Sequence, residues 1–370
     1  MTAQRTLGGM STICLWFALA ALLTYVAYTA VSRERSNIVK LSEIKADKLD
    51  PVEKKCPAYQ ELRRIDFLSP FLRHQLCRGT EAYKRSKNGF PICELKTPPP
   101  EKLLGIVRQK SEIIPMVNIR GAKTPIRGYN GEDLISDAIR KNKAWEPELA
   151  RIILKIAQQI PRVTFLDIGS NIGVYTVQAA QLGLPTLALD ANIRNLLRLH
   201  LTLQALSLKA TLIWNFIGNN QQLQYLKFPK ESNVGAGRKS LMNDGSEENW
   251  LNDTIPIMPI RSEKLSRLIK TKDVVMKMDI EKGEATFLES SGSLFNEFKI
   301  WAVQMEWQGS LSTEQDRMKI LDFFTKRGYT AWKSPNVQRL VSSQWKTWGD
   351  MIDILWLHSD FQLKLLALKK

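Results

Sequence analysis

The sequence predicts an α/β fold for the C-terminal two-thirds of the chain, a mostly parallel sheet with helices on both faces. Two observations predict it. From residue 146 onward short apolar runs alternate with stretches of helical periodicity, and the first run ends in a glycine-containing turn that leads straight into a helix. Runs that alternate in this way pair as parallel strands, because each helix supplies the crossover between them.

The first helix opens at Glu146-Pro147-Glu148-Leu149, where proline suits an early helical position and Leu149, Ile152, Ile153 and Ile156 recur on one face. Residues 163–168 read as a buried strand, 186–190 as a second, 211–217 as a third, 274–279 as a fourth and 300–306 as a fifth. Helical patterns fill 174–183, 192–207, 261–271 and 312–327. The last two apolar runs, 329–332 and 352–357, are separated by a long loop without a clear helix, so they close the sheet as an antiparallel pair.

The N-terminal part differs. No charge occurs from Thr6 to Ser32, and 13–31 is apolar over the roughly 20 residues that a membrane-spanning helix needs. Trp16 near one end and Tyr25 and Tyr28 toward the other suit the membrane interfaces. Ala27 and Thr29 make a poor cleavage site, which favours a retained signal anchor over a removed leader. The expected organisation is a short tail at 1–12, a transmembrane anchor at 13–31, a stem at 32–125 and a folded domain at 126–370. The stem is rich in Lys, Arg and Glu, carries Thr97-Pro98-Pro99-Pro100, and has room for short helices around 57–76.

Orientation has evidence on both sides. Arg33, Arg35 and Lys40 follow the anchor whereas only Arg5 precedes it, which by the positive-inside rule puts the bulk of the chain in the cytosol. The sequon Asn252-Asp253-Thr254 is usable only in the secretory lumen. The net charge of +16 favours an anionic neighbour or simply a basic solvated surface. Four cysteines (14, 56, 77 and 93) and three scattered histidines (74, 200 and 358) lack zinc-site spacing. Three of the cysteines follow the anchor, enough for one disulfide and a spare thiol in a lumenal setting, or for three reduced thiols elsewhere.

The chemistry centres on Asp167-Ile168-Gly169-Ser170-Asn171-Ile172-Gly173. Glycines at the end of a strand let the backbone approach a ligand beside a helix N-terminus. The second strand ends in Asp190, a carboxylate able to accept hydrogen bonds from both hydroxyls of a ribose. A nicotinamide dinucleotide would call for Gly-x-Gly-x-x-Gly, whereas here the spacing is Gly-x-x-x-Gly after an acid that would repel a pyrophosphate. The pattern favours S-adenosylmethionine, held by Asp167, Gly169, Asn171, Gly173 and Asp190.

These residues carry a resemblance. The stretches 132–136, 144–146 and 165–176, with 277–284 and 353–356, resemble the FkbM family of O-methyltransferases over about residues 130–360. The resemblance implies a Rossmann-like class I methyltransferase fold and methyl transfer to a hydroxyl, as of a glycan, a glycolipid or another small acceptor. Similar animal chains with one N-terminal anchor look like type II membrane proteins of the secretory pathway, in the Golgi or endoplasmic reticulum. The family motif after the fourth strand reads Asp-x-Glu-Gly-x-Glu; here Lys282 stands where its glycine is expected and Gly283 follows.

Deprotonating an alcohol needs a base beside the acceptor. Asp279, Glu281 and Glu306, at the ends of the fourth and fifth strands, are the candidates, with Glu284 beside them as a base or a helix-capping carboxylate. Carboxylates this close can also hold a divalent cation, so the metal question stays open. His358 follows the last run as a possible base or a structural residue, and the basic loop 232–239 is either a cover for the acceptor or plain surface. Trp307, Trp345 and Trp348 suit sugar stacking or core filling. A glycosyltransferase would be expected to carry Asp-x-Asp, and an amino-directed nucleic-acid methyltransferase Asn/Asp-Pro-Pro-Tyr/Phe; neither occurs, so nucleic acid is not the expected partner. The alternative is a non-catalytic membrane-tethered module with a methyltransferase-like fold.

Overall fold

The computed structural model describes residues 76–78, 92–219, 224–227, 238–239, 254–307, 313–350 and 352–361. The chain divides into two units, Met1–Leu72 and Arg73–Lys370, and every described residue belongs to the second. The anchor 13–31, Cys14, Cys56, His74, Asn252 and positions 232–237 of the basic loop lie outside the described residues. Among those described, no helix is long and apolar enough to cross a membrane.

The expected boundary at 125/126 needs moving. Helix α1 (Glu101–Gln109) and the hairpin of β1 (Ser111–Val117) with β2 (Lys123–Tyr129) occupy ground assigned to the stem, and the boundary falls inside β2. Ile114, Met116 and Ile126 bury the inner face of this hairpin. Ile113 and Val117 are exposed on the other face, so the alternation that marks a half-buried strand is blurred by apolar residues on both sides. Helix α2 (Leu134–Asn142) follows, capped by Asp133, whose Oδ2 accepts from the Ser136 amide at 2.9 Å and from its hydroxyl at 2.7 Å.

From there the expected elements appear in order as far as Trp214. Helix α3 (Pro147–Gln158) starts on its proline and buries Leu149, Ile152, Ile153 and Ile156. Strand β3 (Thr164–Ile168), α4 (Val174–Gln181), β4 (Thr186–Asp190), α5 (Ile193–Ala205) and β5 (Thr211–Trp214) follow in order. The third expected strand, 211–217, is broken. Asn215, fully buried, accepts from the Cys93 amide at 2.7 Å and donates to the Met258 carbonyl at 3.2 Å, and β6 (Phe216–Ile217) leaves for another partner. Strands β7 (Gln224–Lys227), β8 (Arg238–Lys239) and β9 (Thr254–Ile257) form a small antiparallel sheet, so the end of the expected basic loop is a strand; β10 (Pro259–Ile260) pairs with β6. The helix expected over 261–271 is a 3-10 turn at Ser262–Leu268, tied down by the Ser262 hydroxyl on the Phe287 carbonyl at 2.7 Å.

Strand β11 (Asp273–Met278), α6 (Glu284–Glu289), α7 (Gly292–Glu297), β12 (Lys299–Trp307) and α8 (Glu314–Thr325) lead to the closing strands β13 (Tyr329–Ser334), β14 (Gln338–Arg339) and β15 (Ile352–His358). The large sheet has the order β14-β13-β15-β12-β11-β3-β4-β5. The five strands from β12 to β5 are parallel, and β15 enters antiparallel between β12 and β13, as expected of the last pair. The chain winds outward from β3 through β4 and β5, then returns to β11 on the other side. The order therefore reverses between β3 and β11, which opens a crevice at the carboxyl ends of those two strands.

Cys77 and Cys93 form a disulfide, with Cα atoms 5.0 Å apart and both residues fully buried. The segment after it hydrogen-bonds along β5, Leu95 N to Leu212 O and Trp214 N to Cys93 O at 2.8 Å each, and so covers an otherwise open sheet edge. Closing a loop of this length constrains the unfolded chain by about 3 kcal/mol on the chain-entropy model. Cys93→Ser is expected to lower the unfolding free energy by about that amount in non-reducing urea titrations. No change would mean the segment is held without its covalent link.

Candidate functional site

The site is built from a polar row in the register of the large sheet. Lys277 on β11 stands opposite Asp167 on β3 on one side and Gln304 on β12 on the other. All three are buried, in a sheet whose remaining centre is apolar. Two residues toward the carboxyl ends, on the same face by strand alternation, come Gly169, Asp279 and Glu306, with Asp353 of β15 directly opposite Glu306. Helix α3 and helix α4 bring the wall: Tyr175 donates to Glu146 Oε2 at 2.7 Å, and Gln304 Nε2 reaches the same hydroxyl at 3.4 Å.

Lys277 holds the row together. Its ammonium donates to the Gly169 carbonyl at 2.9 Å and to Asp279 Oδ2 at 3.3 Å. Burial pushes this ammonium toward the neutral form, but the carboxylates of Asp279, Asp167 and Glu146 together keep it above the ordinary lysine value. Burial raises the carboxyl of Asp167, opposed by Lys277 and by a 2.6 Å bond from the Thr176 hydroxyl. Burial likewise raises Glu146. Around one cation, then, the fold gathers several carboxyl groups with elevated proton affinity. Asp353 rises to about 8 through burial and then through Glu146, Asp279 and Glu306, and Glu284 rises to about 7 chiefly through burial.

The glycine turn needs its glycines for internal reasons. Gly169 has φ +81°, and a Cβ there would lie 1.8 Å from the Asp279 carbonyl oxygen; Gly173 has φ +91°, and a Cβ would meet Leu199 at 2.2 Å. Left-handed backbone and internal packing, against the Asp279 backbone and the Leu199 side chain, account for both, so the carboxylates, and not the glycines, point to a ligand. Asp190 ends β4 with Oδ2 accepting the Asn171 amide at 2.7 Å and Oδ1 accepting the Asn192 amide at 2.7 Å. It thereby fixes the turn, with Asn171 held at φ +49°, to the tip of the neighbouring strand. Burial raises this carboxyl to about 6 against those amide bonds.

The structure brings Asp167, Gly169, Asn171, Asp190, Asp279 and Glu306 to one edge of the sheet. It separates Glu281 from them: Glu281 is exposed on the turn at φ +50°, whereas Glu284 is buried and turns back to accept the Ile280 amide at 3.1 Å. Lys282, also exposed, sits at φ +72°, the left-handed conformation that a glycine adopts without strain. Lys282→Gly is expected to stabilise the fold by about 1 kcal/mol, read as a higher urea midpoint. An unchanged or lower midpoint would show that the turn carries no strain.

His358 lies at the opposite edge, paired with Tyr329 and beside Lys299, where its Nδ1 accepts the Asp360 amide at 3.1 Å; it takes no part in the crevice. Trp307 and Trp348 are core residues, at 2% and 5% exposure. Trp345 is half-buried, with the Arg317 guanidinium 5.1 Å from its ring, in a groove of about 320 Å³ that begins at Trp307, one residue beyond Glu306. Among the described residues no group of three His, Cys, Asp or Glu is placed to hold a metal ion. Sequence reading passed over Lys277, Gln304 and Asp353 as site residues. The signal was there in the form of charged or polar residues inside otherwise apolar strands, which burial penalises unless they serve a purpose.

No protein-family model matches the chain, and a search of curated proteins returns no match. Among solved structures it is similar to a precorrin-6y C5,15-methyltransferase from Geobacter metallireducens, at 11% identity over 58% of this chain and 91% of that one, with a TM-score of 0.33. It is similar also to a magnesium protoporphyrin IX methyltransferase from Synechocystis with bound SAM, at 11% identity, 63% and 87% coverage and a TM-score of 0.34. A third is an rRNA methylase from Streptococcus thermophilus, at 11% identity, 57% and 94% coverage and a TM-score of 0.32. Likenesses this slight leave the function to be read from the chain's own residues.

Proposed function

We propose that this chain is an S-adenosylmethionine-dependent O-methyltransferase of FkbM type, acting on a hydroxyl of a glycan, glycolipid or other small acceptor. The observation that carries the reading is Asp190, a buried carboxylate at a strand tip that clamps the turn after Asp167 beside the crevice where the strand order reverses. The donor set fits the cofactor. Asp190 retains a lone pair on Oδ2 for a ribose hydroxyl, and the crevice is lined by carboxylates that suit a cofactor carrying a sulfonium and an ammonium. Asp167 Oδ1 and Gln304 Oε1 are buried acceptors with no donor in the structure. When bound, the cofactor supplies an electrophilic methyl group.

The chain's own residues do the rest. Asp190, Asn171 and Gly169 shape the cofactor side, and Lys277 keeps the turn in place through the Gly169 carbonyl. Asp279 and Glu306 face the acceptor side, where a carboxylate accepts the hydroxyl proton. Trp345 with Arg317 offers a sugar-stacking surface in the groove against Trp307, whose side chain alternates to the sheet face opposite Glu306. The buried Cys77–Cys93 disulfide favours an oxidising compartment, which agrees with a lumenal domain on the 13–31 anchor in the Golgi or endoplasmic reticulum.

The test is calorimetric titration of the detergent-solubilised full chain with S-adenosylhomocysteine, beside Asp167→Ala. Binding lost in a folded Asp167→Ala variant is the expected result. No binding by the folded wild type overturns the enzyme reading and leaves the non-catalytic tethered module.

A further inference from the structure

Strands β12 and β15 place two carboxyl groups face to face. Glu306 and Asp353 are direct antiparallel partners, an arrangement that ordinarily destabilises a sheet when both are charged. Two residues before Glu306, on the same face, is Gln304, which is 2% exposed. Its Oε1 is buried without a donor while its amide nitrogen points to the Tyr175 hydroxyl at 3.4 Å. Besides Glu306, the charged groups acting on Asp353 are Glu146, which caps α3, and Asp279 and Lys277 at the end of β11. Glu146 is engaged by Tyr175, and Asp279 by Lys277. Around Asp353, then, three carboxylates stand against one ammonium.

Resting on the methyltransferase reading, we infer that Glu306 and Asp353 form a proton-sharing carboxyl pair that serves as the base for the acceptor hydroxyl. One proton is held between them, in the manner of two carboxyls that cannot both ionise at close range. Asp353 carries it at neutral pH, in keeping with a carboxyl raised to about 8 by burial, then by Glu146, Asp279 and Glu306. Glu306 is then the ionised partner. As the hydroxyl oxygen bonds the methyl carbon, its O–H bond breaks and the proton passes to Glu306. The carbon–sulfur bond breaks with its electron pair left on sulfur. The proton held by Asp353 steadies the Glu306 carboxylate until that moment, which keeps a base available in a pocket whose other carboxylates would otherwise repel it.

The test is a carbon-13 NMR pH titration of the full chain in detergent, labelled at the aspartate side-chain carboxyl carbons, without cofactor or acceptor. The expected result is one aspartate titrating near pH 8, absent from Asp353→Asn, with its midpoint lowered by about one unit in Glu306→Gln. If no wild-type aspartate titrates above about pH 7, or if Glu306→Gln leaves the midpoint in place, the inference is overturned. The wild-type titration decides even where a variant fails to fold. Because no cofactor is present, failure here is separate from failure of the methyltransferase reading, which S-adenosylhomocysteine binding decides.

Discussion

Lys277→Met is expected to destabilise the domain by about 3–5 kcal/mol, the cost of leaving a buried charge without its partner. The ammonium is the only cation on the row formed with Asp167 and Gln304, and it bonds both the Gly169 carbonyl and Asp279. Methionine fills similar space but leaves Asp167, Asp279 and Glu146 facing one another across a buried site. Asp167 and Glu146, the carboxyls that burial already raises, would then have to take up protons on folding. The sign follows from linkage: a carboxyl whose folded value is raised above its unfolded value loses stability as pH rises from the unfolded value toward the folded one. The deficit of the variant should therefore be small near pH 4 and grow toward pH 8, as read by urea unfolding at a series of pH values. Asp167→Asn added to Lys277→Met should recover part of the loss, because one orphaned carboxyl is removed. A deficit below about 1 kcal/mol at pH 8 would show that Lys277 is not the compensating charge.

Asp190→Ala is expected to weaken S-adenosylhomocysteine binding by about 100-fold, equivalent to about 2.7 kcal/mol. The substitution acts twice. It removes the carboxylate proposed for the ribose hydroxyls, where hydrogen bonds to a charged group contribute about 1.5–3 kcal/mol. It also frees the Asn171 and Asn192 amides, so the turn after Asp167 loses its tie to β4. Calorimetry on a variant whose circular dichroism matches the wild type gives the answer. Unchanged affinity would take Asp190 out of the site and leave it as a turn-fixing residue only.

Much of this architecture was legible in the chain itself. Apolar periodicity reports contacts within about four residues, so α3, α4, α5, α8 and the strands they separate could be placed to within a few residues. The turn 167–173 and the acid at Asp190 were visible because strand-to-helix turns write their needs into glycine spacing and strand-end charge. The antiparallel closure by β15 followed from the missing helix before it.

Cross-strand register is what the tertiary structure alone decided. Nothing local sets Lys277 opposite Asp167 and Gln304, or Glu306 opposite Asp353, since these pairings depend on how distant strands align. The choice of Glu284 over Glu281 as the buried carboxyl depended on two consecutive left-handed residues, which turn one side chain outward and let the other reach back to Ile280. The hairpin of residues 111–129 escaped because the outer face of β1 carries the apolar Ile113 and Val117, which blurs the alternation. The sequence thus determined the elements and the cofactor-side acids, which local geometry dictates. The compensation of buried charge that makes the crevice a site arises only when remote strands meet, because only there do opposite charges come within reach of one another.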